Sequence, residues 1–246
     1  MKLCLDAGHS GKTNPYLLNG STIGSEAEMA WKLQQKLREQ LQAAGVEVLC
    51  TRSSPETDMG LLERGRMAEG CELFLSLHSN AGSPSADYPL ACCPVDGSAD
   101  EIGLRLAEAV GEVMGTAQSP RLWKRDYLTG TGTMLQTRSD PAFGKRTAAN
   151  DYYGVLRGAA AVNVPGVLLE CSFHTHPKMV QWLTKDTNLD ALAKALCRVL
   201  TDYYRVYVPD WETKYNDLRA DYDRLIGELK MLIHQQEGAG NGGKAQ

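Results

Sequence analysis

Leu3-Cys4-Leu5-Asp6-Ala7-Gly8-His9-Ser10-Gly11 opens the chain almost at its first residue. A short apolar run ends abruptly in Asp, Gly and His. That is the pattern of a buried strand delivering a histidine into a glycine-flanked turn at its carboxyl end. In open α/β sheets, functional residues gather at that end of the strands. His9 becomes informative only with partners, and two later segments supply them. Leu73-Phe74-Leu75-Ser76-Leu77 runs straight into His78, and Val164–Glu170, with Pro165 and Gly166 at its start, ends on a glutamate.

Between these strands the chain alternates. Lys12–Ser25 is rich in Asn, Pro, Gly and Ser and is expected to be a loop. Ser25-Glu26-Ala27-Glu28 carries the S-x-x-E pattern of a capping box. Behind it Ala30, Leu33, Leu37 and Leu41 recur at helical spacing, and Gly45 marks the stop. Val46–Thr51 is a second strand and Leu61–Ala68 a shorter helix. Tyr88–Val95 is a further strand, and Ile102–Met114 has helical periodicity. The Gly-rich stretch Gln118–Asn150 is expected to form loops with a small hairpin around Thr129–Thr133. Tyr153–Arg157 is expected to be a strand, and Leu189–Tyr204 a final amphipathic helix. Strands alternating with helices predict an α/β domain over residues 1–205, with a single mixed, mostly parallel sheet flanked by helices on both faces.

Past Pro209 the pattern changes. Trp211, Tyr215, Leu218, Tyr222, Leu225, Leu229 and Leu232 follow alternating spacings of four and three, the seam of a short coiled coil. A C-terminal helical extension is therefore expected over 206–237, with residues 211–232 as a surface for homo-oligomerisation. Lys214 and Arg219, at flanking positions, would repel each other in a parallel pair. The Gly-rich residues 238–246 are expected to be a disordered tail.

The totals exclude several classes. The 246 residues carry a net charge of −4, which gives no basis for nucleic acid or an anionic membrane surface as partner. No apolar run approaches the roughly 20 residues of a membrane helix, so no membrane insertion is expected. The amino terminus lacks the basic and apolar regions of a signal peptide, and the expectation is synthesis in the cytoplasm. Seven cysteines, an odd number set mostly in apolar runs, predict buried free thiols.

Three strands thus end in His9, His78 and Glu170, and the first loop leads to Glu26 in the opening turn of its helix. If the strands are parallel neighbours, these four side chains converge. Two imidazoles and a carboxylate form a three-ligand set that leaves one zinc position open, and a second carboxylate beside it can move a proton. Such a site suits metal-assisted amide hydrolysis.

The motifs D-A-G-H, a Glu opening the first long helix, F-L-S-L-H-S-N and G-V-L-L-E-C-S-F resemble the zinc-dependent N-acetylmuramoyl-L-alanine amidases of the Amidase_3 type. Thr51-Arg52, Leu61-Leu62-Glu63-Arg64 and Tyr153–Arg157 ahead of Pro165 fit the same pattern, and the resemblance spans Met1 to about Tyr204. It implies His9, Glu26 and His78 as ligands of one zinc ion, and Glu170 as the catalytic acid/base. Glu28 competes with Glu26, but its N3 capping position already accounts for it. Asn80, His174 and His176 are candidates for substrate contact, the two histidines facing one side if that segment is extended. Arg64 is expected to hold a carboxylate inside the fold. The substrate implied is peptidoglycan, in an endolysin-like enzyme of phage type that reaches the cell wall after release at lysis. The alternatives are a non-catalytic wall-binding or regulatory module and a zinc peptidase acting on the peptide stem. The chain departs from the family at Ser10, where a glycine is usual, at Thr175-His176, and over Trp123–Ala149.

Overall fold

The computed structural model of the chain describes residues 1–126, 132–135, 150–206 and 211–240. It falls into two units, Met1–Tyr207 and Val208–Gln246. In the first, β1 (Lys2–Ala7) leads to β2 (Pro15–Leu18), β3 (Ser21–Ser25), α1 (Glu26–Ala43) and β4 (Glu47–Cys50). Next come α2 (Leu61–Arg66), β5 (Leu73–Asn80), β6 (Leu90–Cys92) and α3 (Asp100–Met114). The pair β7 (Arg121–Arg125) and β8 (Gly132–Leu135) precedes α4 (Gly154–Ala160), β9 (Gly166–Phe173), α5 (Pro177–Leu183) and α6 (Asp186–Tyr203).

A seven-stranded sheet runs in the order β4-β1-β5-β9-β6-β7-β8. β4, β1, β5 and β9 are parallel neighbours, β6 turns antiparallel to β9, and β8 is antiparallel to β7. The sheet is mixed and mostly parallel, as expected. Side chains alternate across it with period two. Leu3, Leu5, Leu73, Leu75, Val167 and Leu169 face a core completed by Leu33, Leu37 and Leu41 of α1, Leu106 and Val110 of α3, and Leu192 and Leu196 of α6. Each such fully buried leucine contributes about 1.5–3 kcal/mol. Cys4, Phe74 and Leu168 point the other way, into a smaller core with Val155, Leu156 and Ala159 of α4. On that side α2 packs on α4 through facing glycines. A Cβ on Gly65 would lie 2.0 Å from the Val155 carbonyl oxygen, and one on Gly158 2.2 Å from that of Leu62.

The N-cap half of the capping box forms: Ser25 Oγ accepts from the Glu28 amide at 3.2 Å, and Glu28 Oε2 reaches back to accept from the Ser25 hydroxyl at 3.0 Å. Gly45, at φ 82°, ends the helix in the left-handed region. All seven cysteines are free, and five of them are buried.

Two expectations are corrected. Lys12–Ser25 contains the hairpin β2–β3, turned by Asn19 and Gly20 at φ 51° and 79°. Paired left-handed residues are what a two-residue hairpin turn requires. Tyr153–Arg157 is not a strand, because α4 begins at Gly154. Val155, Leu156 and Ala159 are buried together on its inner face, and a five-residue window is too short to separate that periodicity from a strand. β7 and β8 pair antiparallel, while the turn of the hairpin expected around Thr129–Thr133 falls on residues 127–131, which with 136–149 lie outside the described residues.

The second unit contains α7 (Trp211–Gly240), which runs into the stretch expected to be a tail; residues 241–246 are outside the described ones. Tyr215, Leu218, Tyr222, Leu225 and Leu229 are each more than half exposed. Among the described residues no helix is long and apolar enough to cross a membrane.

Candidate active site

The strand register explains the site. Asp6 lies opposite Ser76, and His78 opposite Glu170, on β1, β5 and β9. All four have the parity of Cys4, Phe74 and Leu168, so they share the sheet face that carries α2 and α4. His9 follows β1 after Gly8 in a left-handed conformation (φ 59°), and Glu26 is the first residue of α1. Ligand atoms of His9, Glu26 and His78 all lie within 4.8 Å of one another. Glu26 Oε1 is 2.9 Å from His78 Nδ1 and 3.2 Å from His9 Nε2. The close approach of His78 depends on Gly8, where a Cβ would sit 2.2 Å from the ring.

Further groups hold Glu26. The Ser79 amide donates to Oε1 at 3.1 Å and Asn14 Nδ2 to Oε2 at 2.6 Å. Burial pushes the Glu26 carboxyl upward, but the bonds to His78 and then His9 outweigh it, so it is held well below the usual carboxylate range. Burial also opposes protonation of His78, and the Glu26 hydrogen bond reverses this to a net rise. A pair of imidazoles against an ionised carboxylate is a donor set suited to a divalent cation, and three protein ligands leave a position for substrate. The residues fit a metal ion.

Glu170 differs in environment. Its Oε2 is buried with no hydrogen-bond partner. Burial raises its pKa to about 7, with the Glu26 charge adding and His78 opposing. A carboxyl group poised near neutrality can both accept and return a proton. Beside the cluster is a cleft of about 410 Å³ lined by His9, Thr13, Met59, Leu61, His78 and Tyr153.

Arg64 is buried, as expected, within the fold. Its Nη1 is 3.6 Å from Asp6 Oδ1, and its Nη2 donates to the His9 carbonyl at 3.0 Å. The expected substrate contacts are placed differently. His174 is buried, stacked on Tyr16 at 5.1 Å, with Nδ1 3.0 Å from Ser79 Oγ. His176 caps α5, its Nδ1 accepting from the Lys178 and Met179 amides, so the two histidines do not share an extended segment. Asn80 Oδ1 accepts from the Ala81 amide and shapes the turn after β5. None of the three lines the cleft. Asn14, Asp6 and Ser76 were missed. The parity of Asp6 and Ser76 with His78 was a usable signal, whereas Asn14 had none beyond its place before Pro15.

A sheet edge gathering a metal-ligand set beside an uncommitted carboxylic acid is the layout that metal-assisted hydrolysis requires. Residues 3–202 match the model of Amidase_3, N-acetylmuramoyl-L-alanine amidase, and the chain belongs to that family. No curated protein matches it. Among solved structures, it is similar to the catalytic domain of CwlV, an N-acetylmuramoyl-L-alanine amidase from Bacillus (Paenibacillus) polymyxa. That likeness has 19% identity and a TM-score of 0.62, covering 84% of this chain and 99% of that one. The CwlD amidase of Clostridioides difficile, solved in complex with the GerS lipoprotein, is 22% identical with a TM-score of 0.61, at 84% and 99% coverage. AmiC2 of Nostoc punctiforme is 18% identical with a TM-score of 0.57, at 83% and 97% coverage. At these identities the likeness is one of fold.

Proposed function

We propose that this chain is a zinc-dependent hydrolase of the amide bond between N-acetylmuramic acid and L-alanine in peptidoglycan. The observation that carries the proposal is the juxtaposition of the His9–Glu26–His78 ligand set with Glu170, a half-buried residue in register with His78 whose enclosed Oε2 has no hydrogen-bond partner. His9, Glu26 and His78 would hold the zinc ion, which would supply Lewis acidity toward the scissile carbonyl. Glu170 takes a proton from the attacking water as its oxygen bonds to the carbonyl carbon, and delivers that proton to the alanine nitrogen as the C–N bond breaks, so the product leaves as a neutral amine. The carboxyl group ends as it began. The cleft beside the ligand set offers the substrate a place against the ligand face.

The test is metal analysis and wall digestion on the same preparations of wild type and Glu170→Ala. We expect about one zinc per chain in both, with new L-alanine amino termini released only by the wild type. A metal-free wild type, or equal release by the variant, overturns the proposal. Digestion of stem peptides lacking the sugar would instead identify a peptidase. The same proposal extends to an endolysin-like role, made in the cytoplasm and acting on the wall after lysis. The expected outcome there is clearing of cells whose wall is exposed to added protein. We also propose that α7 assembles copies of the chain along residues 211–232.

A further inference from the structure

The hydrogen bonds behind His78 run in one direction, and that direction selects the nitrogen it presents. Thr51 Oγ1 donates to Asp6 Oδ1 at 2.5 Å, and Ser76 Oγ donates to Asp6 Oδ2 at 2.6 Å. Arg64 Nη1 stands 3.6 Å from the same Oδ1. An ionised carboxylate only accepts, so the single hydroxyl proton of Ser76 is committed to Asp6. Ser76 Oγ lies 3.0 Å from His78 Nε2, and with its proton spent it can only accept there. Nε2 must then carry a hydrogen, which leaves Nδ1 as the lone-pair nitrogen once a cation displaces the proton it shares with Glu26 Oε1. Asp6 and Ser76 are both fully buried, so water cannot substitute for either group.

We propose that Asp6 and Ser76 are positioning residues that fix the tautomer of His78, so that Nδ1 is its metal-ligating atom. The inference rests on the zinc-amidase assignment above for the identity of the metal, but the tautomer itself does not. Metal-bound histidines commonly donate their second nitrogen to a carboxylate or carbonyl, and removing that partner costs about 10- to 100-fold in affinity. Here a serine hydroxyl is inserted between the two. The arrangement makes Asp6→Asn more informative than a simple deletion. Thr51 and Arg64 both present donor hydrogens to the Oδ1 side, so the asparagine oxygen stays there and its NH₂ turns to Ser76. Ser76 would then accept from Asn and donate to Nε2. The proton is driven to Nδ1, the ligating position. Reversing a buried histidine's tautomer in this way is a recognised route to losing function with geometry intact.

The experiment combines zinc affinity by chelator competition with imidazole ¹⁵N chemical shifts of His78, on wild type, Ser76→Ala and Asp6→Asn. The shifts are recorded on metal-free protein and again with zinc. Near-UV circular dichroism confirms that each variant is folded. We expect a hydrogen on Nε2 in the metal-free wild type, beside the one Nδ1 shares with Glu26, and ligation through Nδ1 with zinc. Affinity should fall about 10- to 100-fold in Ser76→Ala and at least as far in Asp6→Asn, whose metal-free ring should carry Nδ1–H. Wild-type-like affinity in both variants, an Nε2 without a hydrogen in the metal-free wild type, or zinc on Nε2 overturns the proposal. A wild type that binds no zinc would sink the assignment of function, while its metal-free tautomer would still decide the relay. If Asp6→Asn fails to fold, Ser76→Ala and the wild-type shifts decide it.

Discussion

Burial at single residues does opposite things in this protein. At Glu26 the cost of removing a carboxylate from water is offset by two imidazoles, an amide and Asn14, and the group stays ionised. At Glu170 it is not offset, and the group is held near neutrality. Asp151, far from the ligand set in the chain, is a third case. It is 1% exposed, its Oδ1 accepts from the Val95 amide at 2.8 Å, and burial raises its pKa to about 8. In the unfolded chain an aspartate titrates near 3.9. Between those values the folded state binds the proton and the unfolded state has lost it. Stability must therefore fall as pH rises through this window, by at most about 1.4 kcal/mol per pH unit. Above the folded value the loss is complete, and below the unfolded value it vanishes. Asp151→Asn removes the titration. We expect its urea midpoint to match or trail the wild type near about pH 4 and to exceed it near about pH 8. A constant difference across that range would show that Asp151 does not titrate in this way.

At the scale of elements, the cleft owes its wall to the crossing of α2 and α4. Leu61 and Arg64 come from one helix, Gly154 and Val155 from the other, and Gly65 and Gly158 let the backbones meet. Gly158→Ala places a methyl against the Leu62 carbonyl, which is backbone and cannot swing aside. Overpacking of this kind costs about 1–3 kcal/mol or more. We expect a lower urea midpoint and slower wall digestion together; unchanged stability would mean that the helices separate without penalty. The same region shows what the sequence could convey. The strands that lead to His9 and carry His78 and Glu170 were legible because apolar runs broke off at chemistry-bearing residues, although β5 and β9 continue to Asn80 and Phe173, and α1 was legible because its cap and stop agreed with its periodicity. α4 was not, since buried residues at 155, 156 and 159 fit a strand as well as one helical turn. The β2–β3 hairpin was legible in principle from Asn19-Gly20, although the polar composition around it reads as a loop. α5 was obscured by His176, whose imidazole serves as the cap ahead of Pro177 at the first helical position. Spacing alone cannot tell a capping histidine from a ligand.

At the scale of the whole molecule the open question is what α7 does. An isolated helix is marginal in water unless an apolar face is covered. The seam from Trp211 to Leu232 advances by about 32 Å at 1.5 Å per residue, and its described members Tyr215, Leu218, Tyr222, Leu225 and Leu229 are 54–70% exposed. Strict alternation of four- and three-residue steps matches a partner helix with the same repeat, which a second copy supplies. Ile226 and Ile233, each one position beyond a seam leucine, widen the apolar face. The flanking charges oppose assembly: in a parallel pair Lys214 faces Arg219 of the second copy. Salt screens such repulsion over about 8–10 Å at physiological strength and leaves the apolar term in place. Association should therefore tighten as salt is raised, the reverse of a contact held by ion pairs. Sedimentation equilibrium over a range of protein and salt concentrations measures this directly. We expect a reversible oligomer in the wild type, stronger at high salt. Leu225→Lys, which puts a charge in the middle of the seam, should be monomeric while cleaving soluble wall fragments at the wild-type rate. A wild type that stays monomeric at every salt concentration would show that this face is not used for self-association. Loss of fragment cleavage in monomeric Leu225→Lys would tie the oligomer to the catalytic unit itself.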